Sequence, residues 1–334
     1  MNKARTIKAG TQRRTLLQGA LGGAALLLQA VPVQAQAWPA KPIRVIVNFP
    51  PGGAADQLAR LIAQPLGEAL GQSVVVENRA GANGMIGGEV VVKSAADGYT
   101  LLMSSGGMVS VNPHIYPRMP FDPNKDIVPV ASAARVLVYL VSHPKMPVNN
   151  VQEFMAYLKA NPGKTSFGSP GNGSSPHLAA EMMKSQAGVF SVHVPYRGAA
   201  PALQDLLAGQ LDFYFDPGIG LQQVRAGRLK LLAVGSPKRS PLFPDVPTLD
   251  EAGLKGFDAD TVFGFYAPAG TPAAVIERLN REINKILATR AVQERIQALG
   301  GEALALSPAQ FADKAAEDSK RFGAIIRERK ITGD

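Results

Sequence analysis

Ile43-Arg44-Val45-Ile46-Val47 runs straight into Asn48-Phe49-Pro50-Pro51-Gly52-Gly53-Ala54-Ala55-Asp56, and the reading of that junction decides the fold. A short β-branched run stops at a bend of prolines and glycines, and a helical pattern from Gln57 to Leu70 follows, with Pro65 expected to bend or split it. The first-turn N–H groups of a helix have no internal partner, and the helix dipole puts partial positive charge there, so such a junction attracts anions. Gly52 and Gly53 carry no Cβ and let a ligand approach the main chain. An ordinary strand-to-helix turn reads the same way. The arrangement gains weight because the chain repeats it.

Outward from that junction, short apolar runs alternate with helical stretches. Ser73–Glu77, Thr100–Met103, Val136–Val141, Thr165–Phe167, Val192–Val194, Leu211–Phe215 and Leu229–Val234 read as strands. Val151–Ala160, Leu178–Gln186 and Pro201–Ala208 read as helices between them, the first capped by Asn149 or Asn150. This alternation predicts an α/β fold of βαβ units with parallel sheets. The pattern breaks at Gly106–Asp126 and at the proline-rich Ser236–Gly256, after which Val262–Tyr266 reads as a returning strand. A chain that leaves one sheet, builds a second and comes back makes two lobes, with crossovers expected near Val136–Val141 and Asp258–Tyr266.

The first 37 residues are expected to lie outside that fold. Lys3, Arg5, Lys8, Arg13 and Arg14 form a basic start without an acid, Leu16–Ala30 is a short apolar segment, and Ala35-Gln36-Ala37 fits a small-x-small cleavage site. The apolar segment is shorter than the roughly 20 residues a membrane span needs, so a cleaved export signal is read here over an uncleaved anchor. Arg13-Arg14 leaves both the general secretory and the twin-arginine routes open.

The whole chain is +9, but the leader carries five of those charges, leaving +4 on the rest. With no Lys/Arg run and no basic stripe among aromatics, nothing calls for nucleic acid. The chain has no cysteine, which excludes disulfides, thiol chemistry and Cys-based zinc sites. Four histidines without a His-x-x-x-His pair suggest no metal, and no cofactor is expected.

Glycine-rich bends recur after later strands: Asn78–Gly88, Ser104-Ser105-Gly106-Gly107, and Gly168–His177. In open α/β sheets ligands bind beyond the carboxyl ends of strands, where such loops gather. Gly171-x-Gly173 lacks a third glycine at 176 and no Gly-x-x-x-x-Gly-Lys occurs, so nucleotide motifs are absent. Ser104, Ser174 and Ser175 sit in bends and His177 lies near two of them, which raises an exported α/β hydrolase as the enzyme alternative. The nucleophile-elbow pattern Gly-x-Ser-x-Gly is missing. Tyr196 offers a hydroxyl and a flat face, and Gly198 and Ala199 offer first-turn N–H groups. Asp216 is the one acid expected in a cleft, with loop bracing as its competing role.

Read together, these stretches resemble the tripartite tricarboxylate transporter solute-binding family, the Bug-type periplasmic receptors. The resemblance rests on Phe49-Pro50-Pro51-Gly52-Gly53 with Asp56, Asn78–Gly84, Asp97–Leu102, Gly171–Leu178, Val194–Gly198, Phe215-Asp216, Pro244–Thr248 and Ala267–Pro272, in order along the chain. Arg197 stands where the family commonly has lysine, Phe263 where tryptophan is common, and Ala54-Ala55 where small hydroxyl residues are frequent.

The resemblance implies a two-lobed periplasmic-binding-protein architecture of the Venus flytrap, type II-like kind. It assigns residues 38–139 and 257–334 to a discontinuous first lobe and 140–256 to a second, after a signal peptide at 1–37. It implies a non-enzymatic receptor in the periplasm, acting as a monomer, that captures a small carboxylated solute and hands it to membrane permease subunits; a sensor system is the other possible recipient. The ligand carboxylate would be held by backbone N–H groups and water. The residues carried over to that site are Phe49, Gly52, Gly53, Ala54, Asp56, Ser104, Ser105, Ser169, Gly173, Ser174, Ser175, His177, Tyr196, Gly198, Ala199 and Asp216.

Overall fold

The protein is represented by a computed structural model that describes residues 38–333. The leader and its cleavage site lie outside the described residues. From Pro39 onward the chain clusters as one compact unit.

The expected first junction is present as β1 (Ile43–Val47) followed by α1 (Ala54–Leu70). Then come β2 (Val74–Asn78), α2 (Met85–Val92), β3 (Thr100–Ser105) and two single-turn helices, α3 (Gly107–Ser110) and α4 (Asn112–Ile115). A long strand, β4 (Ile127–Val136), ends two residues before β5 (Tyr139–Ser142). The second half runs α5 (Val151–Ala160), β6 (Ser166–Ser169), α6 (Ser175–Ala187), β7 (Val192–Pro195), α7 (Ala199–Leu207), β8 (Phe213–Asp216), α8 (Leu221–Arg225) and β9 (Lys230–Val234). The chain returns through β10 (Thr261–Pro268) and closes with α9 (Ala273–Leu287), α10 (Arg290–Ala298), β11 (Gly301–Ala303) and α11 (Pro308–Arg329). No described helix is long and apolar enough to cross a membrane.

Two sheets result, one to each lobe. The first has the order β11-β4-β10-β3-β1-β2 and the second β7-β6-β8-β5-β9. Neither is wholly parallel, as the alternation suggested. β1, β2 and β3 pair in parallel, but β10 runs antiparallel to both β3 and β4. In the second sheet β6 is parallel to β7 and β8, while β5 is antiparallel to β8 and β9. Two of the strands that run against the βαβ direction, β5 and β10, lie next to the crossovers and enter their sheets from the other lobe; the third is the short edge strand β11, antiparallel to β4.

Three local differences have physical causes. Val136–Val141 is not one strand, because the chain changes sheets between Val136 and Tyr139. β4 gives little strand signal in the sequence: Pro129 donates no hydrogen bond and Ala131, Ser132, Ala133 and Ala134 are small, yet all but Pro129 are fully buried beside β10 and α11. α1 continues through Pro65 as one helix, since a single lost backbone bond is outweighed by Leu58, Ile62, Leu66 and Leu70 buried along its inner face. α5 starts as expected, with the Asn150 side chain accepting from Glu153 N at 2.9 Å.

The apolar interior also joins the lobes. Phe322, Ile325 and Ile326 of α11 share a buried cluster with Val138, Leu140, Phe167 and Leu178 of the second half. The carboxyl ends of the parallel strands, and the loops that follow them, thereby face a common space.

Candidate functional site

That space is a cavity of about 100 Å³ lined from both sheets. One water needs at least roughly 10–15 Å³, so the volume has room for several waters or for a small solute. The first lobe contributes Phe49, Pro50 and Gly53 from the β1–α1 turn with Ala54 at the start of α1, Ser105 at the end of β3, Met108 from α3, and Thr261 and Phe263 from β10. The second contributes Gly173, Ser174 and Ser175 before α6, and Arg197, Gly198 and Ala199 before α7.

Three helices therefore begin at the cavity wall, and none has its N-terminus closed by a side chain. Gly53 precedes α1 and Gly198 precedes α7, neither having a side chain to offer. Ser174 precedes α6, but its hydroxyl donates to Gly171 O at 2.7 Å instead of capping the helix. First-turn N–H groups from both lobes are left to whatever occupies the cavity, and three positive dipole ends favour an anion there. Around them the wall is mostly carbon: Met108, Val111, Leu178, Phe263 and Phe322 line it and are buried.

The lobes approach one another closely across the cavity. A Cβ built on Gly198 would lie 3.3 Å from Pro50 Cγ, and one on Gly173 would lie 2.6 Å from Ile115 Cδ1. Both glycines have positive φ, +124° and +75°. Of the two arginines considered as inward cations, Arg197 lines the cavity and is exposed, while Arg79 pairs with Glu77 and does not line it.

Of the sixteen residues assigned above, Phe49, Gly53, Ala54, Ser105, Gly173, Ser174, Ser175, Gly198 and Ala199 line this cavity. The other seven stand behind or beside it. Gly52 adopts φ +80° and donates its N–H to Asp56 Oδ2 at 3.0 Å. Asp56 Oδ1 accepts from Arg60 Nε (3.0 Å) and Asn78 Nδ2 (2.9 Å), and Asn78 also donates to Phe49 O (3.1 Å). Burial raises the Asp56 carboxyl, but the hydrogen bonds from Arg60, Gly52 and Asn78 outweigh it and hold the group below its ordinary value. This carboxylate is the brace of the Pro-Pro-Gly-Gly turn. Asp56→Ala is expected to cost about 1–3 kcal/mol of stability, because the Gly52 N–H and the Asn78 amide lose their acceptor; urea unfolding of the variant measures it, and an unchanged midpoint would contradict the brace.

Ser104 is buried and accepts from Asn48 Nδ2 at 3.0 Å. Ser169 lies 2.6 Å from His193 Nε2. His177 Nδ1 accepts the Gly173 N–H at 3.0 Å, and its ring stacks on His193 with centroids 4.0 Å apart. Burial, then the Lys184 charge, pulls His177 down to about 4; burial, then His177, pulls His193 down to about 3. Both rings are neutral props under the α6 loop at neutral pH. The Tyr196 hydroxyl donates to Asp205 at 2.6 Å and, through burial and that carboxylate, is pushed up to about 12. Asp216 is fully buried and holds the next turn, accepting from Gly218 N (3.0 Å) and Gly220 N (2.9 Å). Only Pro217, its neighbour, reaches the cavity wall.

The hydrolase geometry is not assembled. Ser104 donates to Ser105 O and Ser174 to Gly171 O, while His177 is occupied by Gly173 and His193. Two close serine–histidine pairs occur among the described residues, Ser169–His193 and His114–Ser319; neither lines the cavity, and burial lowers the basicity of both imidazoles.

Thr261, Met108, Val111 and Phe322 line the cavity without having been singled out in the sequence. Thr261 could have been found by strand alternation, two residues before Phe263 on the same face. Met108 directly follows the Ser104–Gly107 bend and could have been found beside it, whereas Val111 and Phe322 come from helical segments without a loop motif.

Comparison with known proteins agrees with this geometry. Residues 58–331 match the model of the tripartite tricarboxylate transporter family receptor. BugT of Bordetella pertussis is 40% identical over 302 residues, covering 90% of this chain and 92% of that protein. The structure of Rpa4515 of R. palustris with adipate superposes with a TM-score of 0.85 at 33% identity, covering 89% of this chain and all of that one. MatC (Rpa3494) from Rhodopseudomonas palustris with bound malate gives 0.80 at 30% identity, over 86% of this chain and all of that one. On residues 58–331 and near full-length similarity, this chain belongs to the tripartite tricarboxylate transporter receptor family of solute-binding proteins.

Proposed function

We propose that the protein is a periplasmic receptor that captures a small carboxylated metabolite between its lobes, without transforming it, and delivers it to the membrane subunits of a tripartite transporter. The observation that carries this reading is the convergence of three uncapped helix N-termini, two from one lobe and one from the other, on a single cavity. Main-chain N–H groups bind a carboxylate without an arginine clamp, which suits a wall whose one basic side chain is exposed. The relatives structurally characterised with adipate and malate support the same ligand class. In this reading residues 1–37 are a cleaved export signal, residues 38–139 with 257–334 and residues 140–256 are the lobes, and the mature chain acts as a monomer. The nine lining residues named above would touch the solute, and Asp56, Ser104, Ser169, His177, Tyr196 and Asp216 would hold their loops.

Closure follows from where the contacts lie. A solute that touches both lobes favours the shut state, because only that state makes both sets of contacts at once. The reading is tested by calorimetry and thermal melts of the mature chain against adipate, malate and other mono- and dicarboxylates. At least one should bind and raise the melting temperature, since a ligand at 100 times its Kd adds about 2.7 kcal/mol. Absence of binding by every carboxylate would remove the proposal.

A further inference from the structure

Among the described residues that line the cavity, Thr261 alone carries a buried side-chain polar atom without a hydrogen-bond partner. It is 3% exposed, and its Oγ1 finds no acceptor or donor among the described residues. Buried hydroxyls are seldom left so, because an unmade bond there carries the full cost of desolvation. The residue opens β10, pairs with Val136 at the crossover, and shares a strand face with Phe263, which also lines the cavity. Val262, facing the other way, packs with Tyr266 and Phe311. The neighbouring buried wall of Met108, Val111, Leu178, Phe263 and Phe322 is apolar, and its one heteroatom, the Met108 sulfur, accepts from Asn48 Nδ2.

We infer that Thr261 is a specificity-determining residue: its hydroxyl takes the second oxygen group of a bifunctional ligand whose first carboxylate sits on the helix N-termini. The substrate class is then a carboxylate bearing a distal carboxylate beyond an apolar stretch. A ligand that ends in a methyl group leaves the hydroxyl orphaned in the closed cavity, whereas a distal carboxylate accepts a hydrogen bond from it. Loss of a hydrogen bond to a charged group discriminates more strongly than loss of carbon contact. The position at the crossover also ties this contact to the strand that connects the lobes. The inference rests on the carboxylate-receptor reading above.

The test uses ligand pairs that differ only in the distal group, adipate with hexanoate and malate with 3-hydroxybutyrate, on the mature chain by calorimetry. The wild type should prefer the dicarboxylate of whichever pair it binds. Thr261→Val keeps the β-branched shape and removes the hydroxyl, and should weaken the dicarboxylate about tenfold or more while changing the monocarboxylate less than about threefold. Thr261→Ser should restore the preference, and melting curves without ligand check that each variant folds. Equal weakening of both partners, or no weakening of the dicarboxylate, overturns the assignment of Thr261 and leaves the receptor reading standing. A wild type that binds no carboxylate at all overturns both.

Discussion

Gly198→Val is expected to lower solute affinity by more than about a hundredfold while the protein stays folded. Gly198 holds φ +124° and ψ 169° at the start of α7, a region of backbone space that residues with a Cβ hardly enter, at a cost on the order of 1–3 kcal/mol. That strain falls on one turn at the cavity wall of a chain with extensive buried cores in both halves, so the fold survives it. The cavity does not. The added Cβ sits 3.3 Å from Pro50 Cγ of the opposite lobe, and the two methyl groups of valine extend further into the same gap. They hold the lobes apart where closure should bring them together, and the turn shifts the α7 N–H groups away from the solute. Calorimetry with the best carboxylate, alongside a thermal melt, measures both halves of the expectation; affinity within threefold of the wild type would mean that Gly198 does not face the bound solute. The neighbouring case is instructive, because Gly53 looks equivalent in the sequence. Its φ is −76°, and a Cβ there meets only Pro50 O at 3.6 Å, so Gly53→Ala should be mild.

The second large effect concerns pH. Burial pushes the Asp216 carboxyl up to about 7, against the opposing pull of the Gly220 and Gly218 N–H groups. Unfolded, the group titrates near its ordinary 3.8. Between those values the folded state holds the proton more tightly, so the associated stabilisation is complete below pH 3.8 and is lost as pH rises through about 7. Asp216→Asn removes this titration while its amide oxygen still accepts from Gly218 and Gly220. Wild type should therefore lose ~2–3 kcal/mol relative to the variant between pH 5 and pH 8. His177, His193 and Asp260 titrate in both proteins and cancel in the difference. Urea unfolding of the pair at the two pH values reads the change directly, and parallel stability curves would show that Asp216 is ionised throughout. Because Asp216 lies behind the cavity, the variant's solute selectivity should stay close to that of the wild type.

Much of the site was legible in the chain because strand-to-helix junctions carry their chemistry locally. Phe49, Gly53, Ala54, Gly173, Ser174, Ser175, Gly198 and Ala199 lie within a few residues of a helix start, and a glycine-rich bend before an amphipathic run announces both the turn and the free N–H groups. Polar side chains in the same bends were harder to place. Asp56 and His177 lie in the first turns of α1 and α6, Ser104, Ser169 and Asp216 at the ends of β3, β6 and β8, and Tyr196 just after β7, yet their polar atoms turn to neighbouring backbone or side-chain groups. Residue type says that such a group will find a partner; it does not say whether the partner is a ligand or a neighbouring N–H.

By itself the sequence determined the α/β class, the two lobes, the turns at which helices open toward a common space, and the family, since each depends on patterns within a few residues or on their order along the chain. The tertiary structure decided which loop residues reach the cavity and which prop it, that the crossover strands run against the sheets, and that Thr261 and Phe322, distant in sequence, close the wall. Those outcomes depend on which surfaces meet when two sheets are brought together, and contacts between residues a hundred or more positions apart leave no trace in local spacing.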